Sequence, residues 1–521
     1  MAVRSLGCAL AVTAASGQSF EWVATFGSSA DDIAQALAVD PAGNTYLTGH
    51  VGGHSTFGSQ TVSTQNAEIM FLAKLDARGD PVWARQASES NQSEGRAVVV
   101  DPRGRIFVAG YFVGSTQFGD TTLTSRGYAD MFLAQYDSDG NPVWARRAGG
   151  DHPSGTDVAR ALALDSSGNC YVYGEFRDSA QFEGITLTGA GLFTSFLAKY
   201  DPNGTLIWAR VIAPTSPDDR RGLCVDPEDH VILTGNFLGR AVLGSEILTS
   251  AGSGDILVGK LDPAGNFIWA RQAGGEDEQR SDSGSGVAVD GAGNIYVTGF
   301  FFGTAKFGST VLTSAGANDV FVAAYTRAGA LRWAKRAGGV DADSGNSIAT
   351  DGAGGVFITG FYLGNSMFGQ QLLLNGPHAD LVIAKFDSAG RQLWVVPASG
   401  SAYSNGTGIV SGAPGSVFVG GYVRGANSFG GIPTPGRGVR DIFIARLVEA
   451  QPPRLAITRE GGRAIISWPA SFDGYKLEVT GNAGWGAAWS KVAGPVGTGA
   501  QRRTVTNDLS AAPQFFRLSK P

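Results

Sequence analysis

Five acidic residues stand at one place in a recurring pattern: Asp32, Asp157, Asp218, Asp282 and Asp343, each eight residues ahead of another Asp. In two further copies the place reads as Ser93 and Tyr403. Carboxylates brought to one level could share a cation or a polar ligand, because like charges repel unless something neutralises them. The same residues could instead accept N–H bonds inside their own loops, as Asp does in turns. A position repeated in most copies is what structural duty predicts, so the second reading is preferred. A ligand needs contacts that differ around it. The position of that kind is the residue after a recurring Gly, filled by His50, Tyr111, Glu175, Asn236, Phe300, Phe361 and Tyr422. This aromatic and polar mixture suits a ligand platform, although drift at a half-exposed position gives the same mixture. A third candidate is the loop carrying Glu276, Asp277, Glu278, Arg280 and Asp282. An enzyme would place its acids there, provided that neighbours perturb one or two of them.

Little else carries recognisable chemistry. The five His residues (His50, His54, His152, His230, His378) form no HExxH and no zinc spacing with Cys. Three Cys are too few for a disulfide framework, and Cys170 and Cys224 fill slots occupied elsewhere by residues such as Ile106 and Ala38, as core residues would. No GxSxG elbow or phosphate loop stands out. In "DPAGNFIW" Trp269 follows Asp262 at a spacing of seven, where quinoprotein repeats have eight, and the Thr-Gly pair of those repeats is missing. No cofactor and no metal is therefore expected. Asp turns such as "DSDG" at Asp137 lack the acidic ladder of a calcium loop and suit tight hairpins. A formal charge of -6 supplies no basic field, which argues against nucleic acid as a partner. No apolar run approaches the roughly 20 residues that a membrane-spanning helix needs.

The elements that must position these residues repeat on a strict ruler. Trp22, Trp83, Trp144, Trp208, Trp269, Trp333 and Trp394 lie 61, 61, 64, 61, 64 and 61 residues apart. Each unit reads as an outer strand such as "WARQAGG", a variable loop, a short strand "GVAVD", a turn, a strand "IYVTGFF", an insertion, and a strand "DVFVAAY". Val, Ile, Tyr and Phe fill the strands while Gly, Asp, Asn and Pro punctuate them. From the Asp that ends the short strand to the next Trp the distance is 43 residues in all six complete cases. The insertion carries its own anchor: Phe57, Phe118, Phe182, Leu243, Phe307, Phe368 and Phe429. Strand alternation puts the insertion and the variable loop at one end, giving each unit a thick face.

Four-stranded antiparallel units repeated radially are β-propeller blades. "FEWVATFG" near the start is an outer strand with no partner before it, and "DIFIARLV" (Asp441 to Val448) has no outer strand after it. Pairing the two completes a seventh blade and removes two open edges. "VDPAGNTYLTG", "VDGAGNIYVTG" and "DMFLAQYDSDGNPVWARRAGG" resemble the SBBP repeat, a bacterial family named for a seven-bladed β-propeller. The resemblance implies a fold and frequent export, and no shared reaction.

Three segments are expected: 1–19 as a signal peptide, from its Arg4, apolar run and small residues; 20–449 as the propeller; and 450–521 as a small β-sandwich. The last, with Trp468, Tyr475 and Trp489 in alternating strands, resembles fibronectin type III or immunoglobulin-like appendages. The fold class is all-β. The expected function is that of a secreted, periplasmic or cell-surface protein, monomeric and without a membrane-spanning segment. It would use its thick face to bind a protein, a polysaccharide or another surface component without catalysis. The alternative is a hydrolase or lyase with its site at the channel mouth.

Overall fold

The computed structural model describes residues 18–87, 92–189, 193–217, 221–352, 354–376, 378–400 and 403–449, together with shorter stretches between 455 and 519. Every regular element among them is a strand. Two compact units result, one spanning Phe20–Leu447 and the other grouping Val448–Pro521 with Met1–Ser19.

In the first unit the antiparallel sheet order is Asp32–Val39, Thr45–Phe57, Gln60–Leu75 and Pro81–Gln86, here termed inner, second, third and outer strands. The order recurs from the inner strands Gln92–Val100, Val158–Leu164, Gly222–Val225, Ser283–Val289, Ser344–Thr350 and Ser404–Ser411. In the sheet that begins with Ser404–Ser411, the outer strand is Gln18–Phe26 from the start of the chain, beside the third strand Asp441–Glu449.

Both faces of these sheets are apolar because each packs against a neighbour. The third strand Asp130 to Tyr136 is buried at every position. Apolar clusters form between consecutive sheets: Phe107 and Met131 of the second meet Val172 and Phe196 of the third. Leu37, Leu47 and Phe71 of the first meet Phe26, Phe418 and Ile442, which belong to the sheet of Ser404–Ser411.

The recurring Trp phrase is the lock between sheets. Trp83 lies against Gly140 in the third-to-outer turn of the next unit, at φ +81°, where an added Cβ would come within 3.0 Å of the indole. Gly204 over Trp144, Gly329 over Trp269 and Gly390 over Trp333 repeat the contact. The Arg two residues on completes it: Arg85 Nε donates to Gly140 O (3.2 Å), Arg146 Nε to Gly204 O (2.8 Å) and Arg271 Nε to Gly329 O (2.9 Å). Only a residue without a Cβ fits between the ring and the positive-φ turn, which is why indole and glycine recur together.

The insertion is a hairpin. It either extends the second and third strands, as in Thr45–Phe57 and Gln60–Leu75, or stands as a separate pair such as Ser179–Phe182 and Ile185–Thr188. Its anchors Phe57, Phe118, Phe182, Leu243, Phe307, Phe368 and Phe429 are each at most 2% exposed. Cys170 is buried and Cys224 partly so, both as free thiols.

The second compact unit has two antiparallel sheets. One contains Ala456–Glu460, Arg463–Pro469, Arg502–Asp508 and Gly497–Thr498, the other Ser490–Lys491, Lys476–Thr480 and Phe515–Ser519. Its core gathers Ala464, Ile466, Trp468, Leu477, Val505 and Phe516. Tyr475, Trp489 and residues 1–17 of the expected signal segment lie outside the described residues. Among the described residues no helix is long and apolar enough to cross a membrane.

Candidate ligand site at the loop-bearing end of the inner strands

The repeated acids begin the inner strands, and their oxygens are spent locally. Asp157 accepts from Gly150 N (2.6 Å) and Arg177 N (2.9 Å). Asp282 accepts from Gly275 N (3.0 Å) and Phe302 N (2.8 Å). Asp343 accepts from Gly339 N (2.6 Å), Leu363 N (3.2 Å) and Ser366 Oγ (2.8 Å). Asp32 accepts from Ser28 N (2.6 Å), Gly52 N (3.2 Å) and Ser55 Oγ (2.6 Å). Each carboxylate thus ties the variable loop to the end of the second strand. Asp218 lies outside the described residues.

Register corrects one assignment. Each of these residues donates its own N–H to the preceding unit: Asp157 to Ala129 O, Asp282 to Gly254 O, Asp343 to Asn318 O and Asp32 to Arg440 O. The equivalent bond in the last inner strand comes from Ser404, to Ala379 O, so Ser404 and not Tyr403 fills the place there. Ser93 and Ser404 use their hydroxyls alike, accepting from Met70 N (3.0 Å) and Leu381 N (2.9 Å).

A second acid, opening the third strand, faces the first. Asp130, Asp255 and Asp319 add their negative charge to Asp157, Asp282 and Asp343. Gly149, Gly274 and Gly338 pack over these partners so closely that a Cβ would come within 2.5 to 2.8 Å of the carboxyl group. Burial is the main cause that pushes Asp157 and Asp282 up to about 7 and Asp343 up to about 6, and the neighbouring acid adds to it. Burial likewise raises Asp380 to about 6. Exclusion of water lets these acids hold their protons to higher pH than a free Asp, and for Asp157, Asp282 and Asp343 a like charge stands near as well.

The chemistry that differs from unit to unit faces inward instead. One residue bulges out of the inner strands: Gln35, Arg96, Arg160, Ser285, Asn346 and Thr407 mark the register shifts, and Arg221 precedes Gly222 at the same level. A bulge re-aims a side chain out of the sheet alternation. All of them line one cavity of about 400 Å³ enclosed by inner strands. At this place three consecutive units contribute guanidiniums, whereas Ser285, Asn346, Thr407 and Gln35 contribute uncharged groups; Arg440 of the last unit also lines the cavity.

The variable second-strand residues join this network. Glu175 receives Arg160 Nη2 and Arg221 Nη2, both at 2.6 Å. Glu94 receives Gln35 Nε2 (2.7 Å), Arg96 Nη2 (2.8 Å) and His50 Nδ1 (3.1 Å). Burial opposes ionisation of Glu94, but Arg96, His50 and Gln35 outweigh it and hold the carboxyl down at about 2. Burial also disfavours the His50 imidazolium, yet Glu94, Glu68 and Asp31 leave its pKa raised. Arg96 stacks over Tyr111 at 5.8 Å. Asn236 bonds Thr215 Oγ1 (2.5 Å) and Ser216. Tyr422 stacks on Tyr403 (5.7 Å between centroids, 12° between planes) and under Arg440. Phe300 and Phe361 are half-buried.

The third candidate separates. Glu276 is exposed, with Lys306 at 3.8 Å, while Asp277 accepts from Gln279 N (2.9 Å) and Arg280 N (3.1 Å) in its own loop. Arg280 lies over Phe302 and Asp282 is buried beneath. Sequence reasoning missed the bulged residues, although their signal is visible: a polar residue between small ones, five places before the turn Asp, as in "AQA", "GRA" and "GSG".

Residues 268–299 match the family model described as SBBP, beta-propeller repeat. An uncharacterized WD repeat-containing protein, L264, of Acanthamoeba polyphaga mimivirus is 24% identical over 467 residues, 73% of this chain and 33% of the relative. The chain therefore spans about a third of that relative's length. Among solved structures, the Pan2 WD40 domain of Neurospora crassa has a TM-score of 0.33 at 11% identity, covering 67% of this chain and 88% of that one. A gluconolactonase of Xanthomonas campestris has a TM-score of 0.30 at 13% identity, covering 68% and 95%. The repeat match and the WD-repeat relative support a β-propeller family for this chain.

Proposed function

We propose that this protein is an exported, non-catalytic binding scaffold. Its inner strands close a seven-bladed propeller over 20–449, and 450–521 form a small fibronectin type III or immunoglobulin-like sandwich. Closure is supported by the pairing of Gln18–Phe26 with Asp441–Glu449 and by the cluster shared between the first and last sheets. A protein partner inserts a loop or terminus at the channel mouth. One observation carries this reading: residues that differ between units, from Arg96, Arg160 and Arg221 on one side to Ser285, Asn346 and Thr407 on the other, line a single cavity. An asymmetric ligand requires that asymmetry, whereas the repeated acids are engaged by backbone.

The test is a peptide-display library and a glycan array, each screened with the full chain and with a Ser285→Arg/Thr407→Arg variant, which fills the uncharged side of the cavity. Peptides that bind the wild type and lose at least about tenfold in the variant are the expected result. Peptides held equally by both would remove the site, and glycans as the sole binders would replace the partner class. Turnover of chromogenic ester, lactone or glycoside substrates that disappears in Asp282→Asn would replace scaffold by enzyme.

A further inference from the structure

We propose that Asp31, His50 and Glu68 form a binding site for a divalent first-row transition ion of the zinc class, at the loop-bearing end of the first unit. It does not depend on the scaffold reading. A ring nitrogen of His50 and one carboxylate oxygen each of Asp31 and Glu68 lie within 4.8 Å of one another. An ion with bonds of about 2.0–2.1 Å needs such atoms about 3.4 Å apart, so binding would draw the three together.

Sheet register builds the group. Ile33, His50 and Met70 stand in one row across the inner, second and third strands. Asp31 is two residues before Ile33 and Glu68 two before Met70, so both are diagonal neighbours of His50 on one face. Gly52 N donates to Asp31 O (2.9 Å), fixing the end of the inner strand.

His50 carries the argument. It is only 5% exposed, and its Nε2 is buried with no hydrogen-bond partner among the described residues. Its Nδ1 is held by Glu94 Oε1 at 3.1 Å. That leaves Nε2 to ligate, in the carboxylate–histidine–metal arrangement typical of metal sites. The other two ligands have outer partners as well. Arg440 holds both oxygens of Asp31, Nε donating to Oδ1 at 2.6 Å and Nη2 to Oδ2, and Gln92 Nε2 donates to Glu68 Oε2 at 3.3 Å. Each carboxylate oxygen so engaged keeps a second lone pair.

The repeat isolates the site. At the same three places the other units read Gln92, Tyr111, Ala129; Thr156, Glu175, Phe193; Pro217, Asn236, Gly254; Ser281, Phe300, Asn318; Ala342, Phe361, Ala379; and Tyr403, Tyr422, Arg440. Only the first unit holds three ligand types. Sequence spacing hid them because each comes from a different strand. Imidazole favours zinc-like ions over Mg²⁺, and three protein ligands leave a position open.

The test titrates the tag-free full chain with Zn²⁺ in excess Mg²⁺ by calorimetry, and with Co²⁺ by visible absorption. One equivalent should bind. His50→Ala should weaken binding at least about 100-fold, and Glu68→Gln, at a half-buried position that spares the core, about tenfold or more. His230→Ala should leave uptake unchanged, which separates this site from the grouping of Asp226, Glu228 and His230. Absence of uptake by the wild type, uptake that survives both His50→Ala and Glu68→Gln, loss in His230→Ala, or displacement by Mg²⁺ would overturn the proposal.

Discussion

Asp282 and Glu175 are both buried carboxylates at the loop-bearing end of their sheets, and they serve in opposite ways. Among the described residues Asp282 receives backbone N–H groups, from Gly275 and Phe302. Glu175 receives two guanidiniums, Arg160 from its own unit and Arg221 from the next. Backbone geometry is the same in every unit, so a residue that serves it recurs. A charge network depends on what the neighbouring unit offers, so its members change. The acids that repeat are therefore fastenings, and the residues that vary are where the proposed function puts recognition.

The sharpest way to break this contrast is Glu175→Ala. Removing the carboxylate leaves two buried guanidiniums without it, and losing one partner of a buried ion pair costs about 3–5 kcal/mol. Denaturant unfolding should show that loss. A cost below about 1 kcal/mol would mean that Arg160 and Arg221 draw their stability elsewhere. Asp343→Ala should cost less, about 1–3 kcal/mol, because it strands the N–H groups of Gly339 and Leu363. Asp343→Asn, which keeps an acceptor, should recover most of it. If alanine and asparagine behave alike, the loop tie is not what the acid supplies.

How far these roles could be read from sequence depended on the ruler. The Trp spacing and the constant distance from turn Asp to Trp made the unit legible, and with it the level of Asp32, Asp157, Asp282 and Asp343. The last copy lacks that turn Asp and begins its turn at Gly412, so counting back from the repeat falls one residue early, on Tyr403 in place of Ser404. Asp130, Asp255, Asp319 and Asp380 stand 14 residues before a Trp and were equally readable, but their meaning lies in what the next unit places opposite them, an acid for the first three and Ser404 for Asp380. Inner-strand bulges invert the expected alternation at a single residue, so Arg96, Arg160 and Arg221 look like ordinary surface positions of a short strand. Convergence on one cavity is a property of how the units are placed, which no spacing within a unit encodes.

Acid pairs and charge network should also differ in their response to pH. Asp157 and Asp282 hold protons up to about pH 7 when folded, whereas an unfolded Asp releases its proton near 4. Between those values the folded state binds more protons, so this contribution to stability is complete below about pH 4. It is lost as pH rises through 7. The slope is at most about 1.4 kcal/mol per pH unit for each group. Thermal unfolding should therefore begin at a higher temperature at pH 5 than at pH 7.5, and an Asp157→Asn/Asp282→Asn variant should flatten that difference. An unchanged slope in the variant would show that these acids ionise without cost to the fold.

Glu276 marks the small end of the scale. It sits in the same variable loop as Asp282, yet it is exposed, and its contact with Lys306 at 3.8 Å is open to solvent on both sides. Exposed pairs contribute about 0–1 kcal/mol and are screened by salt. Glu276→Ala should leave unfolding within about 0.5 kcal/mol of the wild type, and added salt should abolish even that difference. A larger, salt-resistant loss would mean that the loop rim helps to hold the acid pair beneath it, and the division between fastening and recognition would then run through the loop itself.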